Sequence, residues 1–89
     1  MTERTIEIVN SLGLHARPAA QFVRLAAGFS SEIELARDEM SVNGKSIMGV
    51  MMLAAAKGSK VAIETSGDDE DEAMQALTQL IADKFGESE

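Results

Sequence analysis

Four short segments alternate apolar with polar residues, and this pattern restricts the fold more than any other feature of the sequence. Alternation of this kind is typical of strands that bury only one face. The first two predicted strands are Thr5 to Val9, with Ile6 and Ile8 as apolar positions, and Glu32 to Ala36, with Ile33 and Leu35. The other two are Met40 to Val42, with Met40 and Val42 as apolar positions, and Lys60 to Thr65, with Val61 and Ile63. The sequence therefore predicts a sheet with one apolar face that needs a cover.

Three other segments have the periodicity of helices and can supply that cover. The first runs to about Ala27, and the second begins near Ser46. The third follows the acidic run from Asp68 to Glu72, because acidic side chains complement a helix start. The predicted inward positions are Ala19, Phe22, Val23 and Ala26 in the first helix and Ala73, Leu77, Leu80, Ile81 and Lys84 in the third. The order strand, helix, two strands, helix, strand, helix predicts one α+β domain over residues 1–89.

The end of the third helix and the two sides of the second are also indicated by sequence. Gly86 is the expected stop of the third helix, and we expect the acidic tail beyond it to fray. In the second helix, a step of about 100° per residue places Val50, Leu53 and Ala54 on one side and three methionines largely on the other.

Composition excludes several classes of protein. The 89 residues include no cysteine and one histidine, so disulfides and Cys/His metal sites are excluded, and we expect no metal and no cofactor. A net charge of −7 and only three aromatic residues argue against nucleic acid as a partner. The longest mainly apolar run, Ile47 to Ala56, is too short to span a membrane, and no signal peptide precedes the first strand. We expect a cytoplasmic monomer.

The histidine stands where the first helix is predicted to begin. Pro18 is tolerated in a helix only in the first turn, which makes His15 the predicted N-cap. Histidine is a poor N-cap, so its position favours a functional role. The alternative is a solvated loop histidine without chemistry.

The predicted helix start indicates what the histidine could bind. The backbone N–H groups of Ala16 and Arg17 would lack intrahelical acceptors and could meet a phosphate, together with the Arg17 guanidinium. The positive helix end and Arg17 both disfavour the positively charged imidazolium form, so we expect His15 to be a neutral nucleophile. After phosphorylation the same groups would stabilise the added negative charge.

Two motifs resemble one known family. The sequence Gly-Leu-His-Ala-Arg-Pro-Ala at positions 13–19 is similar to the active-site signature of HPr, the histidine-containing phosphocarrier of the bacterial sugar phosphotransferase system. The sequence Lys-Ser-Ile-Met-Gly-Val-Met-Met-Leu at positions 45–53 resembles the regulatory-serine segment of that family. The resemblance implies an open-faced β-sandwich, with a four-stranded antiparallel sheet and three helices on one face.

The resemblance also implies roles for these residues. His15 would accept a phosphoryl group on Nδ1 from phosphorylated Enzyme I, which is charged by phosphoenolpyruvate, and pass it to an Enzyme IIA component. The chain would be a stoichiometric carrier rather than an enzyme, because its partners supply much of the machinery. Ser46 would be modified by an ATP-dependent HPr kinase/phosphorylase, although a serine before an apolar run is also an ordinary N-cap.

A docking surface is predicted beside this site. The second helix is apolar on both sides, and so small a domain rarely buries a whole helix. We therefore predict that Ile47, Met48, Met51 and Met52 receive partner proteins, since flexible thioethers suit several partners. The alternative is that the methionines fill the core under a loop. Arg24 is either a solvated charge or a contact for an acidic partner.

Three alternatives remain at this point. A serine at the head of an apolar helix superficially resembles an acyl carrier protein, which is all-helical, whereas this chain has alternating strands and Lys45 before Ser46. A regulatory adaptor that never carries phosphate would not need His15 and Arg17. Within the HPr family, residues 10–13 and the turn at Asp38 and Glu39 resemble the nitrogen-related paralogue, whereas residues 45–49 favour the kinase-regulated carrier.

Overall fold

The computed structural model describes residues 1–53 and 55–86. Ala54, predicted on the buried side of the second helix, and the predicted frayed tail at residues 87–89 lie outside these ranges. The strands are β1 (Thr2–Glu7), β2 (Glu32–Arg37), β3 (Met40–Asn43) and β4 (Lys60–Ser66), and the helices are α1 (Ala16–Ala27), α2 (Ile47–Met52) and α3 (Glu70–Ala82), followed by a 3₁₀ turn at Lys84–Gly86.

The four strands form one sheet in the order β1-β4-β2-β3, and every neighbouring pair is antiparallel. Residues of β2 and β4 alternate as predicted: Ile33, Leu35, Val61 and Ile63 are buried under the helices, whereas Glu32 and Glu34 are exposed. The structure is therefore the predicted open-faced α+β sandwich, in which one sheet face is covered by helices and the other is open. This sheet excludes the all-helical acyl carrier protein.

The core lies between the sheet and the helices. Phe22 and Ala26 of α1, and Leu77 and Ile81 of α3, are buried as the helical periodicity predicts, whereas Val23 is only half-buried. Pairs of this kind, about one turn apart, form a single apolar stripe that faces the sheet. Among the described residues, no helix is both long enough and apolar enough to cross a membrane.

The first strand starts and ends earlier than the alternation predicts. It runs from Thr2 because Thr2 pairs with Thr65 of β4. It ends at Glu7, and Ile8 instead exchanges backbone hydrogen bonds with the turn that precedes β4. Its N–H donates to Ser59 O at 2.8 Å, and its carbonyl accepts from Gly58 N at 2.8 Å. Ile8 nevertheless remains fully buried, as its place in the pattern predicts.

The third helix also ends earlier than predicted. Its last helical residue is Ala82 rather than Gly86, and Lys84 and Phe85 adopt φ values of 58° and 56°. This left-handed turn leaves Phe85 with only 2 % of its surface exposed, so burial of the aromatic ring offsets the backbone strain. Lys84 therefore lies beyond α3 and does not belong to its inward face.

The acidic run has a structural role that differs from simple capping. Asp69 is the N-cap of α3, but its side chain makes no cap hydrogen bond. Its carboxylate instead accepts hydrogen bonds from the backbone N–H groups of Ser30 and Ser31, both at 2.9 Å, and from the Ser31 hydroxyl. These donors, the Ser31 hydroxyl first, lower the pKa of Asp69 to about 2. The carboxylate thereby joins the start of α3 to the loop between α1 and β2.

Candidate functional site

The turn before the histidine has a fixed backbone. Asn10 is fully buried, and its side-chain Nδ2 donates to the carbonyl of Gly13 at 2.8 Å, while Gly13 N donates back to the Asn10 carbonyl at 3.2 Å. Gly13 has φ +66°, and a Cβ atom there would lie 2.3 Å from the carbonyl oxygen of Ala55. Only glycine therefore fits at this position without displacement of the neighbouring backbone.

The next residue fastens this turn to the rest of the fold. Leu14 is 5 % exposed, and its backbone N–H donates to the Ala55 carbonyl at 2.8 Å. The anchored loop delivers His15 to the surface, half-buried, as the N-cap of α1. The predicted N-cap is thus confirmed. The imidazole makes no capping hydrogen bond, so the helix start does not depend on the ring for its own stability.

The first turn of α1 offers donors beside the ring. The first intrahelical hydrogen bond of this turn runs from Ala19 N to the His15 carbonyl at 3.0 Å. The N–H groups of Ala16 and Arg17 precede that bond, and both residues are exposed. Pro18, which has no N–H, is buried. An imidazole, two leading N–H groups and an arginine residue therefore stand together at the start of one helix, whose positive end can stabilise an anion.

A second arginine lies along the same side of α1. Arg24 is seven residues after Arg17, and both are exposed. Seven residues are almost two helical turns, so the two side chains share a face about 10.5 Å apart along the axis. The outer face of α1 therefore presents two positive charges on the helix that begins directly after His15.

The exposed side of α2 is apolar. The side chains of Ile47, Met48, Met51 and Met52 are 45 %, 75 %, 41 % and 64 % exposed, and we name these four residues the methionine surface. Val50 and Leu53, predicted on the opposite side, are buried. The alternative that the methionines fill the core is therefore wrong. Since α1 packs against α2, the methionine surface and the arginine face of α1 lie on adjacent helices.

Ser46 is at the start of α2. It is the N-cap, as predicted, and its hydroxyl oxygen accepts a hydrogen bond from Gly49 N at 3.1 Å. The side chain is half-buried. The structure thus shows the ordinary capping role of this serine, while its regulatory role stays a prediction.

Two cations that hold the loops around α2 could not be identified from sequence. Arg37 Nη1 donates to the Leu53 carbonyl at 2.7 Å, at the end of α2. Lys45 Nζ donates to the Phe29 carbonyl at 2.7 Å, next to the start of α2. Each pair is separated by 16 residues, and no local pattern specifies such contacts. Arg37 is the last residue of β2.

Comparison with known proteins identifies the family of this chain. A family model described as the PTS HPr component phosphorylation site matches residues 2–83, which is nearly the whole chain. This chain belongs to the HPr family. HPr proteins are phosphocarriers of the phosphotransferase system. The alternative of a regulatory adaptor that never carries phosphate is left for phosphotransfer assays to decide.

Known HPr proteins match the chain over its full length. The phosphocarrier protein HPr of Neisseria meningitidis serogroup A is 55 % identical over 89 residues, which cover 100 % of both chains. A crystal structure of HPr-C-His from Thermoanaerobacter tengcongensis has a TM-score of 0.96 and 54 % identity, with 100 % of both chains covered. A crystal structure described as an HPr dimer from the same organism has a TM-score of 0.79 and 55 % identity, covering 98 % of this chain and 100 % of that one. The monomeric state of this HPr therefore stays a prediction.

Proposed function

We propose that His15 accepts a phosphoryl group from phosphorylated Enzyme I and passes it to an Enzyme IIA component of a sugar permease. The observation that carries this proposal is the position of His15 as the N-cap of α1, with the first-turn N–H groups and Arg17 beside it. Family resemblance assigns the reacting atom as Nδ1. The carrier is regenerated in each round and needs no metal and no cofactor of its own.

The transfer places negative charge where the helix start can stabilise it. As the bond between Nδ1 and phosphorus forms, the bond between phosphorus and the donor atom breaks, and its electron pair returns to the donor. The Ala16 and Arg17 N–H groups and the Arg17 guanidinium can then donate charge-assisted hydrogen bonds to the phosphoryl oxygens. The delivery step to Enzyme IIA reverses these events, with the acceptor in place of the donor.

The test is phosphorylation in a purified system. The protein is incubated with labelled phosphoenolpyruvate and candidate Enzyme I proteins, and acid-labile phosphate is measured. A phosphoryl group on an imidazole nitrogen is acid-labile, whereas a serine phosphate is stable in acid. Wild type should gain one acid-labile phosphate, and His15→Ala should gain none.

A graded variant of the arginine tests its part in the reaction. Arg17→Lys keeps the positive charge but loses the planar pair of donors, so transfer should slow by about tenfold or more while the fold is kept. Acid-labile phosphate on His15→Ala, or none on wild type with every Enzyme I tried, would overturn the proposal.

Regulation at Ser46 is the second part of the proposal. Phosphorylation by an HPr kinase/phosphorylase would add negative charge directly beside the methionine surface, and so oppose its burial against Enzyme I. Ser46→Asp should weaken binding of Enzyme I by about tenfold, whereas Ser46→Ala should leave it close to wild type. Unchanged binding of the Ser46→Asp protein in titration calorimetry would count against this mode of regulation.

The branch of the family decides which partners the carrier meets. The relatives of this chain are named phosphocarrier protein HPr, which supports the sugar branch over the nitrogen-related paralogue. Parallel assays with the Enzyme I of each branch provide the test. Faster phosphorylation by the Enzyme I of the sugar branch is expected, and a preference for the nitrogen-related Enzyme I would reverse the assignment.

A further inference from the structure

Leu12 is an exposed apolar side chain that the fold does not explain. It is 72 % exposed and lies in the turn between Asn10 and Gly13. Turns favour glycine, asparagine, aspartate and serine at such positions, so turn formation does not select leucine there. The core does not select it either, since most of the side chain is in solvent. A single exposed leucine is ordinary in a protein surface, and the argument therefore depends on where this one lies.

The backbone that carries Leu12 is rigid. The two hydrogen bonds between Asn10 and Gly13 close the turn on both sides of it. Gly13 is packed directly against the Ala55 carbonyl, and Leu14 is bonded to the same carbonyl. An apolar side chain on a fixed turn loses little conformational freedom when it is buried by a partner, which is the condition for an effective contact.

Leu12 is close enough to His15 along the chain to lie within a protein interface centred on His15. Three residues of extended chain span at most about 11 Å, which is an upper bound for the separation of the two Cα atoms. A standard protein interface buries about 800 Å² on each partner, equivalent to a disc of about 16 Å radius. A weak interface of about 600 Å² still has a radius of about 14 Å. A standard or weak interface centred on His15 is therefore wide enough to include Leu12.

We propose that Leu12 is an apolar docking contact for the phosphoryl donor protein. The donor would present an apolar recess beside its phosphorylated side chain. The assignment rests on the proposed function of His15. It adds a contact from the turn that precedes His15, whereas Arg17 follows His15 in the chain.

The experiment measures the contribution of Leu12 to docking of the donor kinetically. Rates of phosphoryl transfer are measured against concentration of the carrier, with the Enzyme I that phosphorylates the wild type, for wild type, Leu12→Asn, Leu12→Met and Ser11→Ala. Asparagine suits a turn, so Leu12→Asn should fold with an unchanged Tm. Its KM should rise about tenfold with kcat unchanged, as expected for loss of one buried leucine contact. Leu12→Met keeps an apolar side chain and should restore a KM near that of wild type.

The control and the outcomes separate this inference from the proposed function. Ser11→Ala alters the same turn without loss of apolar surface, and its KM should equal that of wild type. A KM for Leu12→Asn within twofold of wild type would overturn the inference while leaving transfer through His15 intact. A fall in kcat at constant KM would also overturn it, because Leu12 would then position His15 rather than dock the donor. No phosphorylation of wild type would overturn the proposed function and the Leu12 assignment together.

Discussion

Gly13→Ala tests whether the close approach of two chain segments holds the histidine in place. At Gly13 the backbone has φ +66°, and an added Cβ atom would lie 2.3 Å from the Ala55 carbonyl oxygen and 2.8 Å from the Cα atom of Ala56. Both contacts are with backbone, which cannot rotate away as a flexible side chain would. The two segments must therefore separate by about 1 Å to reach ordinary contact.

The cost can be estimated from two contributions. A left-handed conformation costs alanine about 1 kcal/mol relative to glycine. Separation by about 1 Å breaks the 2.8 Å hydrogen bond from Leu14 N to Ala55 and loosens the packing around it, which adds about 2 kcal/mol. We expect Gly13→Ala to lower the free energy of unfolding by about 3 kcal/mol. The displacement of His15 should also slow phosphoryl transfer by up to about a hundredfold, since catalytic geometry tolerates little misplacement.

Gly58→Ala is the matched control. Gly58 also has positive φ, at +91°, but an added Cβ atom would meet nothing within 4 Å. This variant should lose only about 1 kcal/mol and should accept phosphate at the wild-type rate. Stability is measured by urea unfolding followed by circular dichroism, and transfer by the phosphoenolpyruvate assay. If the two variants lose the same stability, the approach to Ala55 does not constrain the turn and the reasoning fails.

The pKa of Asp69, lowered to about 2 by the donors of Ser31 and Ser30, implies a defined acid sensitivity. Because the pKa of Asp69 in the folded protein lies below the ordinary value of 3.8, its ionised carboxylate stabilises the fold above about pH 4, and this stabilisation is lost as pH falls toward 2. The free energy of unfolding, measured in urea, should therefore fall more steeply over this range in wild type than in Asp69→Asn. Parallel curves for the two proteins would refute the assignment. Met48 is 75 % exposed, so Met48→Gln should change the free energy of unfolding by less than about 0.5 kcal/mol yet weaken binding of Enzyme I. Phe22 is fully buried, so Phe22→Ala should lower the free energy of unfolding by about 3–5 kcal/mol. Equal destabilisation by these two variants in urea unfolding would contradict the assigned burial.

Most of the fold could be predicted because its signals are local. Alternation placed β2, β3 and β4 within a residue or two, since the side chains of a strand face the core at every second position. Pro18 and His15 marked the start of α1 for an equally local reason, because backbone geometry at a helix start involves only neighbouring residues. The two sides of α2 followed from helical periodicity in the same way.

The errors occurred where distant contacts outweighed local preference. The last turn of α3 was expected to continue to Gly86, but the gain from burying Phe85 ended the helix at Ala82. The acidic run does lie at the start of α3, as expected, with Glu70, Asp71 and Glu72 in the first turn. The hydrogen bond that Asp69 accepts from Ser31, 38 residues earlier in the chain, was not predicted. Neither the burial of Phe85 nor the contact between Asp69 and Ser31 could be identified from neighbouring residues in the sequence.

The sequence by itself determined the chemistry of this HPr: one imidazole before a helix, an arginine two residues later, and a serine at the head of an apolar segment. These features involve only neighbouring residues, and the sequence gives their types and order directly. The tertiary structure decided what surrounds them. The Ala55 carbonyl that requires glycine at position 13, the exposure of the methionine surface, and the rigid turn beneath Leu12 all depend on segments that meet only after folding. Backbone preferences act over a few residues, whereas close packing joins residues from opposite ends of the chain.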